Sequence, residues 1–485
     1  MRVLLILLAV GVLFSCKDNS TVSVEMTTTT TNDNTTSSPT GSGSDNSSTG
    51  TTSTSGSSSD NSSITNASAD NSSSSSSSSL QDLINPTVSE TFGSNSNFQY
   101  ITGGFAYYAA SSVNIKSPTN FPKIIETNTN FYIVSPYGIE QFDKNFQLIK
   151  TFQETVSYSI YYYDITQLKN GNLLAVGSTN TSPMKGYFKI FDTDLNIISD
   201  YTHQSSSNNS FSKVAIFNDK IIIGKGDFFS TSSQRSDSEN ELFIFDNDTS
   251  NLLNTIESSG RFYSIIADIE IDNSTNEVLV ASPGGDTYIS NQVNNINQIL
   301  IEKYDSNLNR IWGFELGDEA NSYVFDTVFL NDSKFIVAGN FNATDFYELD
   351  SNSGSEDGIL IKFDSLGNKL KILQVGNQKS DSFTSVTSNN TNIYASVCSE
   401  SDILGVSNLG DYDCHILKFD NNLNPIARKT YASTGNENLL QLFFNQARDK
   451  LMVLGFSSGN LAEKLNPNAS NGWYGGGLFI DYISL

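Results

Sequence analysis

Six times between Asp143 and Asp420 the chain repeats one phrase: an apolar run ending in an aromatic residue, then Asp, then a turn rich in Asn. In chain order the copies read QFDKNFQLI, IFDTDLNII, IFDNDTSNLL, KYDSNLNRI, KFDSLGNKL and KFDNNLNPI. Their aspartates are Asp143, Asp192, Asp246, Asp305, Asp364 and Asp420, spaced by 49, 54, 59, 59 and 56 residues. A strand-built repeat of this length cannot bury its apolar face alone, so units must stack as a propeller or a solenoid.

The units overlay as an outer apolar stretch, a short polar turn, a second apolar run often ending in Gly, a variable loop, and then the aromatic-Asp phrase. In the second unit these are residues 163–168, 169–172, 173–177 and 186–192; in the fifth, 323–330, 331–333, 335–339 and 358–364. Four short strands joined by hairpins make one propeller blade. The many Phe and Tyr residues, 31 and 21, suit strands, and no helical periodicity is sustained. The expected fold is all-β, a seven-bladed β-propeller over residues 80–485, with six or eight blades as alternatives. The seventh unit, ending at 477–483, lacks a fourth strand. Residues 97–102 are expected to supply it and close the ring, which removes the open edges of an unclosed array.

Residues 19–79 are almost wholly Ser, Thr, Asn, Gly and Asp, too polar to offset chain entropy with a core. Residues 16–79 therefore read as a disordered tether, with a root-mean-square reach of about 40–45 Å for its ~60 residues. The 52 acidic residues against 27 basic ones give a net charge of −25. That balance disfavours nucleic acid and anionic lipid as partners, since both need clustered Lys and Arg. It suits a soluble extracellular monomer.

Residues 1–15 read as a signal peptide: Met1-Arg2, then an apolar run from 3 to 14 that is too short to span a bilayer permanently. Cys16, following Leu13-Phe14-Ser15, resembles the cysteine of the bacterial lipobox. That resemblance implies a lipidated Cys16 at the start of the mature chain. It also implies anchorage to a bacterial envelope, in the outer membrane and exposed at the surface.

A second resemblance lies in the fifth and sixth units. Trp312 followed by Ser355 to Asn368 (SEDGILIKFDSLGN), and KFIVAG at 334–339, resemble bacterial propeller repeats of the form "D-x-apolar-Lys-apolar-Asp-x-x-Gly-Asn" with a "YIVAG" strand. Such repeats occur in secreted and surface proteins of diverse roles, so they imply a fold and not an activity.

The Asn-rich turns also carry oxygen ligands. Asp192, Asp194, Asn196 and Asp200 stand at positions 1, 3, 5 and 9 of a Ca²⁺-loop pattern, the one serious metal candidate. Against it, Asp and Asn commonly fasten tight turns through local hydrogen bonds. With only two histidines, His203 and His415, a His-dependent triad or a multi-histidine zinc site is disfavoured. No catalytic residue is assigned and no resident cofactor is expected. Cys398 and Cys414 flank one loop of the sixth unit and are candidates to pair as a disulfide outside the cytoplasm.

The loops between second and third strands are long in units three to seven and emerge on one face of the ring. They carry Tyr288, Phe346, Tyr347, Tyr412, Trp473 and Tyr474 among acids and glycines. Long loops on a rigid scaffold are the usual seat of recognition. The expected function is a non-catalytic binding module for an extracellular glycan or protein. The alternatives are a carbohydrate-active enzyme using Asp or Glu at the propeller mouth, and a scaffold in envelope assembly.

Overall fold

The repeated phrase folds alike in its successive copies because its chemistry is local. The computed structural model describes residues 99–100, 122–154, 160–204, 208–226, 241–247, 251–257, 265–284, 288–289, 292–293, 298–316, 321–342, 355–445, 449–459, 461 and 477–484. In it the aromatic residue before each repeated Asp (Phe142, Phe191, Phe245, Tyr304, Phe363, Phe419) is buried. Asp192 Oδ1 accepts the backbone N–H groups of Asp194 and Asn196 at 2.9 and 2.8 Å, and Oδ2 accepts the Asn196 amide at 2.8 Å. Asp305, Asp364 and Asp420 repeat this with Asn309, Asn368 and Asn424. Three residues after the Asp, the chain turns left-handed at Phe146, Leu195, Leu308 and Leu423, with φ of 58°, 56°, 66° and 56°. That conformation costs an L-residue about 1–2 kcal/mol. Here each of the four side chains is buried, a gain of similar size.

Seven four-stranded antiparallel sheets follow one another. Blade 1 is Lys123–Glu126, Phe131–Ser135, Gly138–Phe142 and Leu148–Phe152; blade 2 is Ile160–Gln167, Leu173–Thr179, Gly186–Phe191 and Ile197–Thr202. Blade 3 is Ser210–Phe217, Lys220–Gly226, Glu241–Asp246 and Leu252–Glu257; blade 4 is Asp268–Asp272, Glu277–Gly284, Gln298–Tyr304 and Arg310–Leu316. Blade 5 is Asn321–Phe329, Phe335–Asn342, Asp357–Phe363 and Lys369–Val375; blade 6 is Asp381–Ser388, Asn392–Ser399, Asp413–Asp420 and Pro425–Tyr431. Blade 7 is Glu437–Asn445, Lys450–Ser457 and Gly477–Ser484, completed by Gln99–Tyr100 from the start of the domain. Gln99 pairs with Ile480 and Tyr100 with Phe479, so the ring closes where the sequence analysis placed the closing strand. One expectation is corrected. The first strand of each unit, read as outer, is innermost, and the first strands of successive blades touch one another around the axis.

Each core cluster bridges neighbouring blades. Ala338 and Leu360 of blade 5 pack with Phe383, Ala395 and Leu417 of blade 6, and Ile124 and Phe142 of blade 1 pack with Leu454 and Ile480 of blade 7. The residue two before the repeated Asp adds a polar link to the following turn: Gln141 Nε2 donates to the Thr193 carbonyl at 3.0 Å and Lys303 Nζ to that of Ser365 at 3.0 Å. Lys362 does the same to Asn421.

Candidate functional site

The strand registers align one residue from every innermost strand: Lys123, Asp164, Lys213, Asp268, Asp326, Ser385 and Gln441. In blades 2, 3, 5, 6 and 7 a β-bulge immediately precedes it, a device that re-aims the following side chain. Where this residue carries an acceptor, it clamps the next blade. Asp164 accepts from Val214 N–H at 3.0 Å, Asp268 from Thr327 N–H at 2.9 Å and Asp326 from Val386 N–H at 2.9 Å. Ser385 Oγ accepts from Leu442 N–H at 3.0 Å, and Gln441 Oε1 from Ile124 N–H at 2.9 Å, which carries the pattern across the closure. At the two remaining positions stand Lys123 and Lys213. An ammonium has no acceptor, so neither forms this clamp.

The ring surrounds a cavity of about 250 Å³ lined by residues from all seven innermost strands, which places it on the axis. Its charged groups are Lys123, Lys213, Asp164, Asp268, Glu270 and Asp326. A wider cavity of about 730 Å³ opens beside it at the short-turn end of blades 7, 1 and 2, and the two share Gln441 and Phe443.

Burial and the neighbouring Asp268 push Asp326 up to about 6 and hold Glu270 well above the usual carboxylate range. Burial raises Asp164 as well. The lysines separate. Burial, then Lys213, push Lys123 down to about 8, whereas Asp164 and Asp268 outweigh burial at Lys213 and hold it up. Both line the same cavity, and the pair shares its charge unequally.

At the opposite, long-loop end, residues 400–412 of blade 6 form a loop tied by its own hydrogen bonds. Asn408 Nδ2 donates to the Ser399 carbonyl at 2.9 Å, Asn408 N–H to Asp402 at 2.8 Å, and Leu409 N–H to Asp413 at 2.6 Å. Tyr412, half-buried, donates to Glu400, and Leu409 is exposed beside it. Tyr288 falls in a small hairpin, Tyr288–Ile289 with Gln292–Val293, inserted between the second and third strands of blade 4. Phe346, Tyr347, Trp473, Tyr474 and Cys16 lie outside the described residues.

The turn at Asp192 spends both carboxylate oxygens on its own backbone and on Asn196, and Asp200 sits on the fourth strand, accepting from Tyr187 OH at 3.2 Å. Among the described residues no group of three or more His, Cys, Asp or Glu could hold a metal ion. Cys398 and Cys414 are direct partners across the second and third strands of blade 6 and are joined as a disulfide. His415, buried in the third strand of blade 6, meets Thr430 Oγ1 at 3.0 Å, and burial pushes it down to about 3. His203 stacks edge-on against Phe243 at 4.8 Å.

Neither the axial ring nor Leu409 is apparent from the sequence. The ring's sequence signal is a charged residue in several first-strand runs, the Asp of YYYDITQ, DIEID and YVFDTVF and the Lys of SFSKVAIF.

No family model matches the chain, and no curated protein does. Among solved structures the chain is similar to the Dos1 propeller, at 13% identity and a TM-score of 0.46 over 75% of this chain and 78% of that one. It is similar to Chaetomium thermophilum Raptor at 12% identity and a TM-score of 0.47, over 75% of this chain and 27% of that one. It is also similar to the dihydro-heme d1 dehydrogenase NirN, solved in complex with DHE, at 11% identity and a TM-score of 0.43 over 69% and 62%.

Proposed function

We propose that this chain is a surface lipoprotein anchored through Cys16. Its propeller is a non-catalytic binding module that takes an extracellular glycan or protein on the long-loop face. The observation that carries the reading is the contrast between the two ends of the strands. At the short-turn end the Asp and Asn side chains are spent inside their own turns. At the other end the blade 6 loop is braced by its own hydrogen bonds and presents Leu409 and Tyr412. A loop ordered before binding loses little entropy on contact, and aromatic residues concentrate binding energy. The non-catalytic reading draws on Asp164, Asp268 and Asp326, three of the four axial carboxylates, which are engaged in holding blades together, and on the positions of His203 and His415 within side-chain packing.

The test is a glycan array and a pull-down from envelope extract with wild type, Tyr347→Ala, Tyr412→Ala, Trp473→Ala and Asn424→Ala, each checked by circular dichroism. The aromatic variants should lose binding about tenfold or more with the fold intact, and Asn424→Ala should bind as wild type. Equal loss from both faces would refute the assignment. Separately, Cys16→Ser should abolish metabolic fatty-acid labelling and release the protein from membranes; unchanged labelling would sink the anchor.

A further inference from the structure

The axial cavity contains more than the clamps require. Five of the seven ring positions supply an acceptor to the next blade, and the two that do not are both lysines, in blades 1 and 3, on either side of Asp164. Both side chains line the same cavity of about 250 Å³. Three of the surrounding carboxylates accept backbone N–H groups of neighbouring blades, so they are fixed around the pair. We infer that Lys123 is a nucleophilic amine that captures a short, neutral hydroxy-aldehyde or hydroxy-ketone as an imine, in a site distinct from the long-loop face.

Each requirement of that chemistry has a residue in the cavity. Lys123, half-buried and lowered to about 8 by burial and by Lys213, carries a free amine in a useful fraction near neutral pH. Lysine nucleophiles are activated by these same two effects, desolvation and an adjacent cation. Lys213, buried and held protonated by Asp164, is the adjacent cation and can donate a proton to a carbonyl oxygen. Glu270, held well above the usual carboxylate range, is a second proton donor.

The Lys123 nitrogen forms a C–N bond to the carbonyl carbon, and the oxygen takes a proton from Lys213. The resulting hydroxyl then leaves as water with a proton from Glu270. The two protons shed by the nitrogen restore both donors, so the balance is amine plus carbonyl to imine plus water, with no redox change. The ligand class follows from the walls. Four carboxylates against two lysines disfavour an anionic oxo-acid, while Gln441 Nε2 and Thr387 offer partners to hydroxyl groups. The groups facing Lys123 are Asp164 from blade 2, Lys213 from blade 3, Asp268 and Glu270 from blade 4, and Asp326 from blade 5. Blades 6 and 7 contribute neutral Thr387 and Gln441.

The test is reductive trapping of the full chain with glycolaldehyde and cyanoborohydride, followed by peptide mass mapping from pH 6 to 10. Lys123 should label at least about tenfold faster than exposed Lys169 at pH 7, with a rate that levels off above about pH 8. Lys213→Arg should keep that preference and Lys213→Met should lose most of it. Pyruvate should label Lys123 more slowly than glycolaldehyde. Because Lys213→Met also removes a cation near Asp164, the wild-type profile is decisive. Labelling of Lys123 no faster than of Lys169, or a rate still climbing beyond pH 9, overturns the nucleophile. Equal labelling by pyruvate overturns the ligand class.

Discussion

At both ends of the strands a carboxylate closes a short backbone loop, yet the two ends titrate in opposite directions. At the short-turn end Asp192 and Asp305 each accept two backbone N–H groups and an Asn amide while exposed to solvent. Those bonds, the Asn amide first, hold both below the usual carboxylate range. At the long-loop end Asp381 accepts from Asn377 N–H, and Glu437 from Ser433 N–H and from the hydroxyls of Ser433 and Ser457. Both are fully buried, and burial pushes each up to about 7 despite those bonds. Hydrogen bonds favour the ionised form at both ends; whether water also reaches the carboxylate decides the sign. One end is fastened in a way that pH above 5 does not disturb, and the end proposed to bind ligand is fastened by groups that titrate near neutrality.

The comparison presumes that both ends hang on one closed ring, so the largest effect tests that ring. Deleting residues 479–485 removes most of the strand to which Gln99–Tyr100 pairs, and should abolish cooperative unfolding. Deleting residues 27–79 should leave the melting temperature unchanged; an intact melt in the first deletion would contradict closure.

Glu437→Ala comes next. It leaves two buried hydroxyls and one N–H without their acceptor and should cost about 2–4 kcal/mol by chemical denaturation. Glu437→Gln, which keeps an acceptor, should cost less than half of that.

The pH dependence sharpens the contrast. A carboxyl raised from about 4 unfolded to about 7 folded keeps its proton in the native state while the unfolded chain loses its own. Stability should therefore fall as pH rises from about 4 to 7 and level off above, by up to roughly 3–4 kcal/mol for each group. The depressed turn aspartates act in the opposite sense, losing stability only below about pH 4. Asp381→Asn should flatten the slope between pH 4 and 7, measured by urea titration at stepped pH. An unchanged slope would remove Asp381 from the account.

The smallest effect belongs to the exposed turns. Asp420→Ala should cost about 1 kcal/mol and Asn424→Ala about half of that, since water replaces the lost partners. A cost at Asp420 as large as at Glu437 would break the distinction between the two ends.

The sequence alone determined the repeat and the all-β propeller class, and its expectations of seven blades closed by a strand within 97–102 match the structure. The Asp-to-Asn turn is complete within four residues, and the buried aromatic before it recurs with the turn, so neither depends on distant chain. The position of the first strand at the axis was decided only by tertiary structure, because apolar alternation is the same for an inner and an outer strand. The axial ring was hidden for a related reason. Its members are Lys, Asp, Lys, Asp, Asp, Ser and Gln, which share no side-chain type, and what unites them is a register position that meets the next blade. Likewise Asp381 and Asp192 are both Asp at the end of a short loop in sequence. Only the packing of neighbouring blades over one of them, and water over the other, gave them opposite charge behaviour.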